Sequence, residues 1–303
     1  MTRLPRAERL PLVARKDIRD YWENTRGDHE QRLSEVLGQP WTVVVDPLAL
    51  YPYAEGTWCE RSLGQAIASY VESFVRRLEE FIGLDGNETV DEINEICSAH
   101  VLTIDYDDTD TVHYCGLKVS PEGQFVILFS RYDMGTNIIG VASENNLVKA
   151  LNSAPSPRPM NFVARASIRN SYKSRIGEIG EKLKNMLGQE ISLVPNFETN
   201  FEKLNGSADA DSGWDRSFGN IHLAYFEGLA EQLEYQKFSE DDMLRDVLFE
   251  AMDKRAVHIR VVDQTKRSYN EPVIEDGILY LQTTPRNFAS NTSQAASDLT
   301  SIL

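Results

Sequence analysis

Four side chains with soft ligand atoms fall in one short stretch: Cys97, His100, His113 and Cys115. Two thiolates and two imidazoles suit tetrahedral zinc. Cys97-x-x-His100 can share a face at a helix end, and His113-x-Cys115 shares one side of a strand through its period of two. The spacing matches no standard finger. Buried cysteines and unrelated histidines are therefore the plainer reading, and no cofactor is expected. In a catalytic protein, His113 or Cys115 would be the first base or nucleophile to test. Asp105, Asp107, Asp108 and Asp110 form an oxygen-rich run. It lacks the glycine and distal glutamate of a calcium loop and reads as a turn between strands.

A second set of residues recurs. Residues 12–39 match residues 162–189 without gaps, with 10 of 28 pairs identical, including Val13-Ala14-Arg15-x-x-Ile18-Arg19 and its partner 150 positions later. The match resumes at an offset of 155: Glu60-Arg61-Ser62-Leu63-Gly64 faces Asp215-Arg216-Ser217-Phe218-Gly219, and Tyr70-Val71-Glu72 faces Tyr225-Phe226-Glu227. The charged residues kept in both copies are Arg15, Arg19, Arg61, Glu72 and Glu79, with Arg165, Arg169, Arg216, Glu227 and Glu234. Arginine holds carboxylates bidentately. The expected structure therefore straps the start of each copy to its long helix through ion pairs of Arg15, Arg19, Arg165 and Arg169 with Glu72, Glu79, Glu227 and Glu234. The alternative is an anion site at the helix start, where free N–H groups would converge with Arg61 or Arg216. Tyr51, Tyr53 and Trp58, with Trp214 before the second helix, form a core lid or line a ligand pocket.

The elements that must position these residues follow from periodicity. Apolar residues from Leu63 to Ile82 recur at three- and four-residue steps and predict a long helix, with Ser62 as its cap. Its counterpart spans about 218–236. Shorter helices are expected at about 26–38, 88–99, 143–151, 176–187, 240–253 and 293–303. Strands are expected at 41–45, 101–106, 112–119 and 124–130, and at 190–195, 256–262, 270–275 and 278–283. Residues 48–60 and 196–215 read as long loops. The pattern predicts an α+β fold made by tandem duplication. Each copy would be a mostly antiparallel sheet of about four strands with its long helix on one face, the two pairing as a pseudo-dimer. The copies span 1–151 and 161–303. The Pro- and Ser-rich linker 152–160 joins them.

Composition narrows the function. The chain has 303 residues and a net charge of −16, which disfavours nucleic acid as a partner. The first 151 residues carry 25 acidic and 14 basic side chains. Basic residues open each copy: Arg3, Arg6, Arg9, Arg15, Lys16 and Arg19, then Arg158, Arg165, Arg169, Lys173 and Arg175. They read as a solvated surface or, more sharply, as a basic face that meets the acidic body. No apolar run is long enough to span a membrane, no signal peptide is recognisable, and three cysteines build no disulfide framework. A cytoplasmic location is expected. There is no phosphate-binding glycine loop, nucleophile elbow or zinc-protease motif. These features favour a soluble intracellular binding protein. Its protein or small-molecule partner would sit in the cleft between copies or at the loop before each long helix. The alternatives are an enzyme with its site in the first copy, and a self-assembling module that forms homo-oligomers.

Overall fold

The computed structural model describes residues 2–85, 87–156, 158–267 and 269–303. The chain divides into two compact units, Met1–Pro157 and Arg158–Leu303. In the first, α1 (Leu12–Asp17) runs directly into a π-helical segment, Ile18–Glu23. Then come α2 (Arg26–Leu37), β1 (Thr42–Val44), α3 (Pro47–Ala54), α4 (Leu63–Asp85), α5 (Asn87–Ile96), β2 (Val101–Tyr106), β3 (Cys115–Val119), β4 (Phe125–Phe129) and α6 (Glu144–Ser153). The second unit follows the same order: α7 (Phe162–Ser167), a π segment at Ile168–Lys173, α8 (Ile176–Leu187), β5 (Ser192–Val194), α9 (Phe197–Asn205), α10 (Phe218–Tyr235), α11 (Asp242–Ala251), β6 (Ala256–Val261), β7 (Asn270–Glu275) and β8 (Ile278–Thr283).

Each unit has one four-stranded sheet, ordered β1-β2-β4-β3 and β5-β6-β8-β7. The expectation of a mostly antiparallel sheet is corrected here. β1–β2 and β2–β4 are parallel, and only β3–β4 is antiparallel; the second sheet repeats this. Three helices separate β1 from β2, enough chain to return to the same end and start in the same direction. After β2 the chain passes to the sheet edge, forms β3, and turns back into the middle as β4. The turn at Pro121–Gly123 is where the sequence places it, with Gly123 at φ 76°.

The long helices form the cores. On α4, Leu63, Ile67, Tyr70, Val71, Phe74 and Leu78 are buried. Each large apolar side chain buried in this way contributes about 1.5–3 kcal/mol. The recurring tyrosine ties each helix to a loop. The Tyr70 hydroxyl accepts from Gly135 N at 2.9 Å, and the Tyr225 hydroxyl donates to Phe288 O at 2.8 Å. The recurring glycine permits a backbone contact. A Cβ on Gly64 would sit 2.5 Å from Ile18 Cα, and one on Gly219 would sit 2.7 Å from Ile168 Cα. The π segment therefore rests directly on the long helix in each unit.

Three further expectations change. The loops at 48–60 and 196–215 contain α3 and α9. Asp46 caps α3 by accepting from Leu48 N at 3.0 Å, and Pro47 supplies its first helical φ. The expected helix 293–303 is replaced by short 3-10 turns at Thr292–Gln294 and Leu299–Ser301. Ser, Thr and Asp are dense there, and their side chains compete for backbone groups. Among the described residues no helix is long and apolar enough to cross a membrane.

Candidate functional site

Along β6, Val257, Ile259 and Val261 enter the core, so His258 and Arg260 point to the opposite face of the sheet. Tyr280 joins them from β8, paired with His258 in register. These side chains and the flank of α9 enclose an open cleft of about 620 Å³, lined also by Asn196, Thr199, Glu202 and Lys203. The cleft lies towards the carboxyl ends of the parallel strands β5 and β6, where parallel sheets commonly receive ligands.

The geometry is constrained. The Arg260 guanidinium stacks on the Tyr280 ring, 4.0 Å from its centroid, and donates to Glu275 Oε2 at 2.9 Å. Arg260 Nε is buried without an acceptor among the described residues. Lys203 reaches Asp263 at 2.8 Å and stays half exposed. Asn196 sits at φ 53°, and its amide approaches His258 Nδ1 at 3.2 Å and donates to Ile259 O at 3.1 Å. Burial, and then the charge of Arg260, hold the His258 pKa below its usual value. The ring is therefore neutral at pH 7, an acceptor and donor rather than a charge.

Behind the cleft, Asn200 of α9 is buried and accepts from Val261 N at 2.9 Å. Its amide nitrogen lies 3.2 Å from Nε2 of the fully buried His222. His222 Nδ1 is 2.8 Å from Phe218 O, so Nδ1 carries the proton and Nε2 accepts. Burial lowers the His222 pKa to about 4.

The soft-ligand set does not assemble. Cys97 and His100 precede β2, beside the Phe125 end of β4, whereas Cys115 pairs with Phe129. Four residues of strand span about 13 Å. His100 bonds to Gln39, His113 packs edge-on against Tyr114, and Cys115 donates to Asn137 O at 3.1 Å. Among the described residues no three His, Cys, Asp or Glu side chains gather as a metal site. Burial raises the Cys115 and Cys59 thiols to about 11 and raises Cys97 as well. A thiol of this kind is a poor nucleophile near neutral pH. His113 and Cys115 do line a separate groove of about 320 Å³ beside Lys149.

The aspartate run is a turn. Asp107 accepts from Thr109 N, Thr111 N and Val112 N, while Asp105 pairs with Arg3. Asp108 and Asp110 flank that turn. Of the aromatic set, Tyr51 is buried and Tyr53 stacks on Tyr106 at 4.7 Å. Trp214 packs on Phe201 and Phe218, and Trp58 stays half exposed, bonding to Gly135 O.

In the first unit the glutamates take a partner other than the expected arginines. Glu72 and Glu79 both pair with Arg32 of α2, at 2.7 and 2.8 Å. Glu227 pairs with Arg175, and Glu234 with Lys182 of α8. Arg15 is exposed, Arg19 pairs with its neighbour Asp20, Arg165 donates to Met160 O, and Arg169 lies over the Phe162 ring. Arg32→Ala should therefore destabilise the first unit by about 0.5–1 kcal/mol in urea unfolding, while Arg15→Ala leaves the midpoint unchanged. The anion reading at the helix start meets competition from the chain itself. Gln65 N donates to Asp17 Oδ2 at 3.1 Å, and Gly219 N to Ser167 Oγ at 2.9 Å, with Arg61 and Arg216 exposed nearby.

Sequence reasoning missed Asn196, Asn200, His222, His258, Arg260 and Tyr280. One signal was present: His222 stands in the apolar stripe of its helix where the first copy has Ile67. No protein-family model, no curated protein and no solved structure matches this chain.

Proposed function

We propose that the chain is a non-catalytic binding protein of the reducing cytoplasm, built by tandem duplication, whose ligand site is the cleft beside α9. The common element order of the two units supports the duplication, together with the recurrence of Gly64 as Gly219 at the same contact and of Tyr70 as Tyr225, each bonded to the backbone of a loop. Three free cysteines support a reducing location. The observation that carries the site is the convergence of Asn196, Lys203, His258, Arg260 and Tyr280 on one open cleft. A stacked guanidinium, a half-exposed ammonium and neutral amide and imidazole groups recognise an anion or a polar acceptor. They provide no nucleophile with an adjacent base.

Amide NMR titration with benzoate and with phosphate tests this. The expected shifts gather at residues 196–203 and 256–261. Shifts gathered at His113 and Cys115 would retire the reading in favour of an enzyme in the first unit.

A further inference from the structure

The first unit shows how this fold fills the corresponding place. Its opening segment lies extended over α3 and β2. Arg3 holds Asp105 bidentately at 2.9 and 2.7 Å, and Arg6 holds Asp46 at 2.7 and 3.2 Å. Between them Leu4 N donates to the Tyr53 hydroxyl at 2.9 Å, and just beyond them Ala7 N donates to Leu48 O at 3.0 Å. Arg131 donates to Thr2 O at 2.9 Å. This is peptide recognition within one chain: backbone groups fix the path, and two charged side chains fix the register.

The second unit offers the same places with the charges changed. Asp105 is the fifth residue of β2, and Arg260 is the fifth of β6; the two strands pair alike with β1 and β5. Asp46 stands just before α3, and Asn196 just before α9. Tyr53, the seventh residue of α3, is matched by Lys203, the seventh of α9. Two carboxylates thus become a guanidinium and an amide, and a phenol becomes an ammonium. The backbone acceptor is not retained: Pro52 has no N–H and leaves Leu48 O free in α3, whereas Glu202 N takes Glu198 O in α9.

We propose that the second unit's cleft binds an extended acidic peptide segment of a partner protein, a charge-reversed counterpart of residues 3–7. This rests on the cleft being the ligand site and names its occupant. A glutamate or aspartate of the peptide takes the place of Arg3 and meets Arg260 and Lys203. The peptide backbone follows the flank of α9. The peptide carboxylate competes with Glu275 and Asp263 for these two cations, beside Glu202 of the lining, so the association is salt-sensitive. The guanidinium has donors to spare, since Glu275 takes a single N–H, on Nη1, and the other Nη protons of the fork remain.

The probe is a fluorescent peptide copying residues 2–11, with glutamate at the places of Arg3, Arg6 and Arg9. The control is the unaltered copy. Anisotropy with the full chain is expected to show saturable binding of the acidic peptide and none of the basic one. Affinity should fall about tenfold or more in Arg260→Gln and again in Lys203→Gln. Lys203 is half exposed, so its variant keeps the fold even if the Arg260 variant does not. Equal binding of both peptides, or affinity unchanged in Lys203→Gln and in a folded Arg260→Gln, overturns the inference. Amide shifts at residues 196–203 with benzoate or phosphate but none with the acidic peptide would overturn the peptide and leave the cleft. Shifts with none of the three would overturn both.

Discussion

Gly64→Ala is expected to destabilise the first unit by on the order of 3 kcal/mol, and Gly219→Ala the second by a similar amount. The atoms that an added methyl meets are backbone atoms of Asp17 and Ile18, or of Ser167 and Ile168. A side chain could swing aside; a helical backbone held by its own hydrogen bonds cannot. The π segment would have to lift from α4 or α10, exposing Ile18 and Trp22 in one unit or Ile168 and Tyr172 in the other. Gly27 is the control. It recurs as Gly177, but a Cβ there meets nothing within 4 Å. Gly27→Ala should be neutral or stabilise by up to about 1 kcal/mol, since alanine is the better helix former. Urea unfolding of the three variants decides this. A Gly64→Ala midpoint equal to that of the parent would show that the contact is looser than described.

Acid is expected to weaken the second unit between about pH 6.5 and pH 4, through His222. Its folded pKa, about 4, lies below the ordinary histidine value of 6.5. Between those values the unfolded chain binds a proton that the folded chain refuses, so stability rises with pH across that window. Above pH 6.5 the contribution is complete, and below pH 4 it is lost. A shift of this size corresponds to roughly 3 kcal/mol. The cause is geometric as well as dielectric. A second ring proton would appear on Nε2, where it faces the amide nitrogen of Asn200. Asn200 also anchors α9 to β6 through Val261 N, so acid should loosen the floor of the cleft before the rest of the unit. The measurement is melting temperature against pH for the parent and for His222→Gln. Carboxylates contribute in both proteins, so the difference in slope between pH 6.5 and 4 isolates the histidine. Parallel curves would remove His222 from the account.

The sequence was most legible where one face decides the structure. The stripe from Leu63 to Leu78 and its counterpart on α10 needed only a period of three and four. α8 ends at Leu187, where the sequence expects it, because Gly188 takes a left-handed φ of 73° and stops it. Strand positions were legible, but their directions were not. Direction depends on where the chain crosses between β1 and β2, and no residue of either strand records that path. Asp46-Pro47 can close a strand, yet the same pair is a cap followed by a favoured first helical residue. Pro52 inside α3 is a residue that argues against helix in sequence. The candidate cleft was illegible for another reason. Its residues come from α9, β6 and β8, and they differ between the copies, so neither local spacing nor recurrence marks them.

The recurring Val-Ala-Arg-x-x-Ile-Arg motif carries one more consequence. Ala14, Ile18 and Trp22 are buried at steps of four, as are Ala164, Ile168 and Tyr172. In an α-helix a four-residue step overshoots a full turn by about 40°. A continuous α-helix would carry the last of each trio off the contact line. The π segment has a wider turn, and Asn24 N bonds back five residues to Arg19 O. It brings the stripe back by holding one surplus residue per turn. The motif is thus a phase correction written into the chain. A strict period of four, beside a glycine on the facing helix, is the trace it leaves.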